Sequence, residues 1–151
     1  MTDDPSLAPA GYFLEDLVLG MEAALERMIA ESDLIAFAEV SGDTNPVHLD
    51  EDYAATTPFR TRIAHGMLTA SLISAVLGTR LPGPGAVYLS QSLRFRAPVK
   101  IGDQVRTIAR VTEIDTRRRR VSLACSCSVG DAVVLEGEAI VMVPSRGREG
   151  A

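Results

Sequence analysis

The residues best suited to chemistry lie together in one short segment, residues 41–50 (SGDTNPVHLD). It contains a carboxylate (Asp43), an amide (Asn45) and an imidazole (His48), with Pro46 between the last two. The Ser-Gly-Asp and Asn-Pro sequences are turn signals, so we expect a tight loop after a helix. Pro46 fixes its own φ and restricts Asn45, which makes the loop stiff. A stiff loop can hold an acid and a base at a fixed separation, as proton transfer requires.

The same spacing also has a structural explanation. Asp43 and Asn45 are residue types that form hydrogen bonds within turns, and His48 could simply pack beside them. Asp43 and His48 are nevertheless the one closely spaced carboxylate–imidazole pair, because His65 is the only other histidine. Two histidines are also too few for a typical zinc site, so the sequence predicts no metal.

Length and composition predict one globular domain. The chain has 151 residues, of which 46% are hydrophobic, and carries a formal charge of −5. We expect a disordered tail at residues 1–10, a single domain at 11–144 and a polar tail at 145–151. The acidic balance argues against binding to nucleic acid or to an anionic membrane. Scarce aromatic residues and the absence of Trp argue against base stacking.

Nothing in the sequence predicts export or membrane insertion. The N-terminus is acidic and interrupted by prolines, unlike a signal peptide. The longest apolar segment, residues 67–77, contains polar residues and is too short to cross a bilayer. We therefore expect a soluble, cytoplasmic protein. Cys125 and Cys127 are two apart in a strand-like run, a spacing poor for a disulfide, and are expected to be buried small residues.

The first half of the chain is predicted to be a strand, a helix and the loop. Residues 21–30 are interpreted as a strand because the following ESDLIAFAEV supplies a helix start, with Ser32 as the N-cap. The Ser41-Gly42 pair ends this helix. A short helical turn is expected within residues 50–57. The predicted apolar face of the helix consists of Leu34, Ile35, Phe37, Ala38 and Val40.

The second half is predicted to be one buried helix followed by strands. The helix MLTASLISAVL closes at Gly78 and is apolar or small on nearly all sides, which is typical of full burial. After a loop at 81–85, alternating patterns predict strands at 86–95, 105–114, 120–129 and 133–143. Together these elements favour an α+β architecture, with an antiparallel sheet wrapped round a helix.

Residues 37–54 (FAEVSGDTNPVHLDEDYA) resemble the signature of the (R)-specific enoyl-CoA hydratases, in the MaoC-like dehydratase family. The resemblance continues through IAHGMLTASLISAVLG (63–78) and QSLRFRAPVKIGD (91–103), so it extends over residues 12–143. It implies the hot-dog fold, a curved antiparallel sheet around a long central helix, and assembly as a homodimer. That architecture agrees with the one that the sequence pattern predicts.

The resemblance also implies a reaction, the reversible hydration of a trans-2-enoyl-CoA to the (R)-3-hydroxyacyl-CoA. Asp43 and His48 would hold the reacting water, and the backbone N–H of Gly66 would polarise the thioester carbonyl. No separate cofactor is implied, because CoA is part of the substrate. Gly66 suits this role because it opens a helix, where its N–H is unpaired and lies at the positive end of the dipole. Which of Asp43 and His48 is the base stays open.

Four other features are weaker candidates. Ser74 lies eight residues after Gly66 and could orient an active-site side chain, or it could bond its own i−4 carbonyl. Asn45 could contact the site, although shaping the loop is favoured. His65 is expected to fix the start of the helix rather than to react. The arginines at 117–120 could bind CoA phosphates, although a charged connection of this kind is more often solvated.

Other functions remain open at this stage. An acyl-CoA thioesterase or a non-catalytic acyl-CoA-binding subunit would share the fold, although the complete Asp43, Asn45 and His48 set argues against both. A dehydratase acting on a branched or hydroxylated acyl-CoA would share the motif. The sequence gives neither the preferred chain length nor the pathway, which could be polyhydroxyalkanoate synthesis or fatty-acid degradation.

Overall fold

The computed structural model describes residues 11–147, so the predicted tail at 1–10 and residues 148–151 lie outside the described part. A short 3-10 helix at Leu14–Asp16 comes first. The remaining described elements are β1 (Glu22–Met28), α1 (Glu31–Ser41), α2 (Pro46–Leu49), α3 (Glu51–Ala55), α4 (Gly66–Thr79), β2 (Val87–Gln91), β3 (Arg94–Phe95), β4 (Gln104–Asp115), β5 (Arg120–Val129) and β6 (Ala132–Met142).

The strands form one antiparallel sheet of six strands. Its order is β1-β4-β5-β6-β2, and β3 also pairs with β6. The predicted succession of the last three strands is confirmed, because β4, β5 and β6 pair in sequence order. In β5 the alternate residues Val121, Leu123, Cys125 and Cys127 are buried, while the serines between them are only partly buried. Since side chains alternate across a strand, this pattern gives the sheet one apolar face.

Helix α4 packs on the apolar face and completes the hot-dog fold that was expected. Leu72, Ile73, Val76 and Leu77 of α4 are all buried in the same core cluster as the sheet residues. Burying a side chain of this size contributes about 1.5–3 kcal/mol to stability, so the helix and the sheet depend on each other. The β1 strand was also predicted, and its pairing with β4 confirms that choice over a helix.

The expectation that α4 is buried all round is wrong. Met67, Ser71, Ser74 and Gly78 are exposed along one side of the helix. Small residues do not distinguish a buried face from an open one, so the composition of the helix overstated its burial. The helix also continues past the predicted end at Gly78, to Thr79, with Arg80 as the C-cap.

Helix α1 departs from its prediction at its start and on its face. Its N-cap is Ala30 rather than Ser32, and the Ala30 N–H donates to the Asp33 carboxylate at 2.8 Å. That hydrogen bond replaces the side-chain cap that the sequence suggested. Of the predicted apolar face, Ile35 is 44% exposed and Val40 is 84% exposed. The end at Gly42 is confirmed, because this residue has a left-handed φ of 79° that glycine adopts readily.

The predicted strand at 86–95 is interrupted in the structure. Between β2 and β3, Ser92 stays alongside β6, donating its N–H to the Glu138 carbonyl and accepting the Glu138 N–H on its hydroxyl, both at 2.9 Å. The Ser92 carbonyl approaches Gly137 so closely that a Cβ there would lie 1.8 Å from the carbonyl oxygen, and this approach requires glycine. The chain then continues along the same edge of β6 as β3, which carries Phe95.

Two further predictions concern the cysteines and membranes. Cys125 and Cys127 are free and buried, as expected. Burial raises the pKa of the Cys125 thiol to about 11 and also raises that of Cys127, so both stay protonated and unreactive. Within residues 11–147, none of the helices has the length and hydrophobicity that a bilayer crossing would need.

Candidate active site

The loop after α1 is built from a succession of local hydrogen bonds. The Asp43 N–H donates to the Ser41 hydroxyl at 3.1 Å, and the Asn45 N–H donates to Asp43 Oδ1 at 3.2 Å. The Val47 N–H then donates to Asn45 Oδ1 at 3.1 Å, so Asn45 caps α2 with Pro46 as its first residue. The loop is therefore tight, as predicted, and the contact that Asn45 makes is a loop-shaping one.

His48 lies on α2 with 8% of its surface exposed. Its Nδ1 is 2.7 Å from the carbonyl oxygen of Ile63. Because a carbonyl only accepts, this contact assigns the hydrogen to Nδ1 and leaves the Nε2 lone pair free. Burial lowers the pKa of His48 and is the largest effect; nearby His65 lowers it further, while the Ile63 hydrogen bond and Asp43 act in the opposite direction. The resting side chain is thus a neutral imidazole.

His65, the residue before α4, joins the two candidate catalytic residues. Its Nε2 lies 3.0 Å from the backbone carbonyl oxygen of Asp43. Its ring stacks on the ring of His48, with centroids 3.8 Å apart and planes tilted by 27°. On another side it meets the ring of Phe37, at 4.8 Å between centroids. His65 is the N-cap residue of α4, as its predicted place at the start of the helix suggested.

Asp43, His48 and His65 together form a cluster with potential metal ligands. One nitrogen or carboxylate oxygen from each lies within 4.8 Å of the other two. An imidazole donates its lone pair in the plane of the ring, at about 2.0–2.1 Å from zinc. A single ion bound to both stacked rings would lie well out of each ring plane, so the stack disfavours metal binding. That no metal is bound stays a prediction.

Gly66 is the first residue of α4, directly after His65, so its N–H has no acceptor within the helix. It lines a cavity of about 360 Å³, together with Phe59, Thr69, Phe95 and Val99 among others. The ring of Phe95 packs where a side chain would begin, because a Cβ on Gly66 would lie 2.7 Å from Phe95 Cε1. Gly66, whose N–H has no acceptor within α4, therefore lines an apolar cavity and directly follows His65 of the Asp43, His48 and His65 cluster.

Other hollows have linings that do not include Asp43, His48 or Gly66. The largest, about 610 Å³, is lined by residues of the sheet face opposite α4, such as Arg110 and Ser126. Gly66 lines the cavity of about 360 Å³ and not this one, so the larger size does not make it the better candidate.

The family is established by a match that covers most of the chain. The family model of the MaoC like domain matches residues 19–131. The chain belongs to the MaoC-like dehydratase family.

Curated members of the MaoC-like family are close in sequence. The 3-hydroxybutyryl-CoA dehydratase of Methylorubrum extorquens is 61% identical over 134 residues, covering 89% of this chain and 85% of the relative. The (R)-specific enoyl-CoA hydratase of Rhodospirillum rubrum is 56% identical over 136 residues, covering 90% of this chain and 94% of the relative.

Two solved structures have a fold similar to that of this chain. The unliganded R-hydratase PhaJ1 from Pseudomonas aeruginosa matches with a TM-score of 0.86 and 47% identity, over 90% of this chain and 88% of that one. The (R)-hydratase of Aeromonas caviae matches with a TM-score of 0.84 and 42% identity, over 86% of this chain and 99% of that one.

Two predicted candidates do not join the cluster of this MaoC-like domain. Ser74 is exposed on α4 and lines a separate hollow of about 170 Å³, with Leu77, Tyr88 and Val141 among its neighbours. Arg117 lines another hollow beside Glu15. A supporting role for Ser74 and a phosphate-binding role for the arginines at 117–120 therefore stay predictions.

Sequence reasoning missed Arg62, which contacts the backbone of His48 and links it to neighbouring helices. The Arg62 Nε donates to the His48 carbonyl at 2.7 Å, and its guanidinium pairs with Glu31 of α1 at 3.0 Å. Its backbone N–H donates to the carboxylate of Glu51 on α3, at 3.2 Å. The side chain is 11% exposed. Arg62 thus ties three helices together, but it stands in an irregular stretch whose residue types gave no signal.

We expect His48 to make the stability of the fold depend on pH. Its folded pKa lies below the ordinary value of about 6.5, so the unfolded chain binds this proton first as the pH falls. The free energy of unfolding should therefore decrease from about pH 6.5 down through the folded pKa. Urea unfolding at about pH 7 and pH 5 measures this loss, which should be smaller in His48→Asn. Equal losses in the two proteins would contradict the assignment.

Proposed function

We propose that this chain is an (R)-specific enoyl-CoA hydratase, which adds water reversibly to a trans-2-enoyl-CoA. The observation that carries the proposal is the convergence of three groups in one place. The carboxylate of Asp43 and the free Nε2 of His48 lie in one cluster, and the unpaired N–H of Gly66 follows it directly. The relatives from Rhodospirillum rubrum and Aeromonas caviae, both (R)-specific enoyl-CoA hydratases, support it.

The reaction requires a base for water, a donor for the thioester oxygen and a proton for the α-carbon. We assign the base in hydration to His48, because its lowered pKa keeps it neutral with Nε2 unprotonated. Asp43 orients the water by accepting its second hydrogen. The water oxygen bonds to the β-carbon, and the π electrons of the double bond move toward the thioester oxygen.

Gly66 and His48 then complete the addition. The Gly66 N–H, at the positive end of the α4 dipole, stabilises the enolate oxygen that develops. Protonated His48 returns its proton to the α-carbon, and the thioester carbonyl re-forms. One water has been added, and both side chains regain their starting protonation states. Dehydration follows the same steps in reverse. The relative from Methylorubrum extorquens is named for that direction, as a 3-hydroxybutyryl-CoA dehydratase.

The proposal is tested with purified protein and crotonyl-CoA, a four-carbon trans-2-enoyl-CoA. We expect rapid loss of the absorbance of the conjugated thioester, and chiral analysis should give the (R) alcohol. Release of free thiol without hydration would instead indicate a thioesterase. No reaction with crotonyl-CoA or longer enoyl-CoAs would reject this substrate class, leaving a branched or hydroxylated acyl-CoA or a binding subunit.

We also propose that the protein is a homodimer in the cytoplasm. β2 ends the strand order of the sheet and exposes Val87, Tyr88 and Leu89, at 49%, 40% and 42%. Pairing this edge with the same strand of a second copy would satisfy its backbone groups and cover the apolar side chains. Sedimentation should give twice the 16.1 kDa chain mass. The two free cysteines are consistent with a reducing compartment.

A further inference from the structure

His65 contacts more of the proposed machinery than its place before α4 requires. It is 2% exposed, and it touches Asp43 through a hydrogen bond and His48 through a ring stack. It is also joined covalently to Gly66. We propose that His65 is a positioning residue, which fixes the carboxylate loop, the His48 imidazole and the Gly66 N–H relative to one another. The proposal rests on the hydratase function and assigns a further residue to that reaction.

The two contacts make different demands on the residue type. The hydrogen bond to the Asp43 carbonyl needs an N–H donor at the ring edge, at the Nε2 position. The stack on His48 needs a flat ring, with its centroid 3.8 Å from the centroid of that imidazole. A phenylalanine would supply the ring alone, and a glutamine would supply the donor alone. Histidine meets both demands in one side chain.

The hydrogen bonding of His65 indicates that it positions its neighbours and does not itself transfer a proton in the reaction. Because the Asp43 carbonyl only accepts, the hydrogen lies on Nε2 and the lone pair on Nδ1. Within residues 11–147, Nδ1 is buried and has no hydrogen-bond partner. A proton on Nδ1 would find no acceptor there, and it would place a positive charge against the ring that becomes cationic during turnover. His48 is then the group that takes a proton from water, and Asp43 is the acceptor that orients this water.

The geometry explains why a small displacement here would matter. His48 is held at its edge by Ile63 and from the backbone side by Arg62, and His65 covers one face of its ring. Removing that face leaves the imidazole free to tilt, while removing the donor frees the Asp43 peptide. A misplacement of about 1 Å at a reacting group can lower turnover by about 100-fold.

The test compares His65→Phe, which keeps a ring, with His65→Gln, which keeps a donor. Hydration of crotonyl-CoA by the wild-type protein is measured first, because its absence would reject the function rather than the role of His65. In both variants we expect kcat to fall by about tenfold or more, with KM within about twofold of the wild-type value. A kcat close to that of the wild type in either variant would overturn the proposal.

Loss of stability must be separated from loss of positioning. Val121→Ala on β5 is the control, because Val121 is fully buried in the core but does not contact the cluster. If this control unfolds as easily as the His65 variants but keeps its kcat, the loss in those variants is positional. If the control loses kcat in proportion to its stability, the effect is merely structural and the proposal fails.

A measurement independent of activity tests the assigned hydrogen positions. The chain has two histidines, so their ring signals in a long-range ¹H–¹⁵N spectrum are assigned by one variant. We expect His48 with its hydrogen on Nδ1 and His65 with its hydrogen on Nε2, near neutral pH. A hydrogen on Nδ1 of His65 would contradict the contact with Asp43 and overturn the proposal, whether or not crotonyl-CoA is hydrated.

Discussion

Replacing Asp43 by Asn or His48 by Asn should lower the hydration of crotonyl-CoA by about 100- to 10,000-fold, the usual range for a lost general acid or base. His48→Asn removes the proposed base and Asp43→Asn removes the charged acceptor that orients the water, but each keeps the local hydrogen bond. Asn at 43 retains an acceptor for the Asn45 N–H, and Asn at 48 retains a donor for the Ile63 carbonyl. Steady-state assays at matched, folded protein concentrations measure the effect.

The control for this pair is Asp52→Asn. Asp52 is an exposed carboxylate in the first turn of α3, outside the Asp43, His48 and His65 cluster. It undergoes the same chemical change, and its turnover should stay close to that of the wild type. Near-normal hydration by either site variant would remove the basis of the proposed mechanism, in which His48 is the base and Asp43 orients the water.

Replacing Gly66 by Ala should lower turnover by about 100-fold or more, comparable with the loss of one oxyanion donor. The backbone N–H remains, but the added Cβ would lie 2.7 Å from Cε1 of Phe95, which lines the same cavity as Gly66. Phe95 is 52% exposed, so its ring can move and the fold should survive. The substrate oxygen would then be kept at a distance from its donor. We expect the loss mainly in kcat.

Gly78→Ala is the matched control on the same helix. A Cβ at Gly78 would meet no atom within 4 Å, and the residue lies inside the helix near its end. Alanine there should raise stability by about 0.5–1 kcal/mol through helix propensity and leave hydration unchanged. Wild-type kcat in Gly66→Ala would mean that the thioester oxygen is bound elsewhere, and the proposed role of Gly66 would then be wrong.

The sequence was sufficient for those features that depend on neighbouring residues. The loop could be predicted because each contact between Ser41, Asp43, Asn45 and Val47 spans two residues. Strand β5 could be predicted because its buried positions alternate without interruption. The α+β architecture followed from such local patterns. The loop segment also supplied Asp43 and His48 as candidates.

What could not be predicted depends on residues distant in the sequence. His65 and Asp43 are 22 residues apart, and Arg62 and His48 are 14 apart, so neither contact has a periodic or turn signal. The interruption of the strand at Ser92 depends on Gly137 of another strand. Residue propensity also misplaced the N-cap of α1. The N-cap lies two residues before the predicted Ser32, where the Asp33 carboxylate accepts the Ala30 N–H.

The close approach of the Ser92 carbonyl to Gly137 restricts how this sequence can vary. At Gly137 the obstacle to a side chain is the carbonyl of Ser92, which cannot rotate away, so even alanine is excluded unless the backbone shifts. The same segment leads into β3, whose Phe95 ring packs against Gly66 at the start of α4. The position of Phe95, which lines the cavity of Gly66, therefore depends on a glycine outside the lining of that cavity. A search for altered selectivity confined to the cavity walls would overlook the position that sets one of those walls in place.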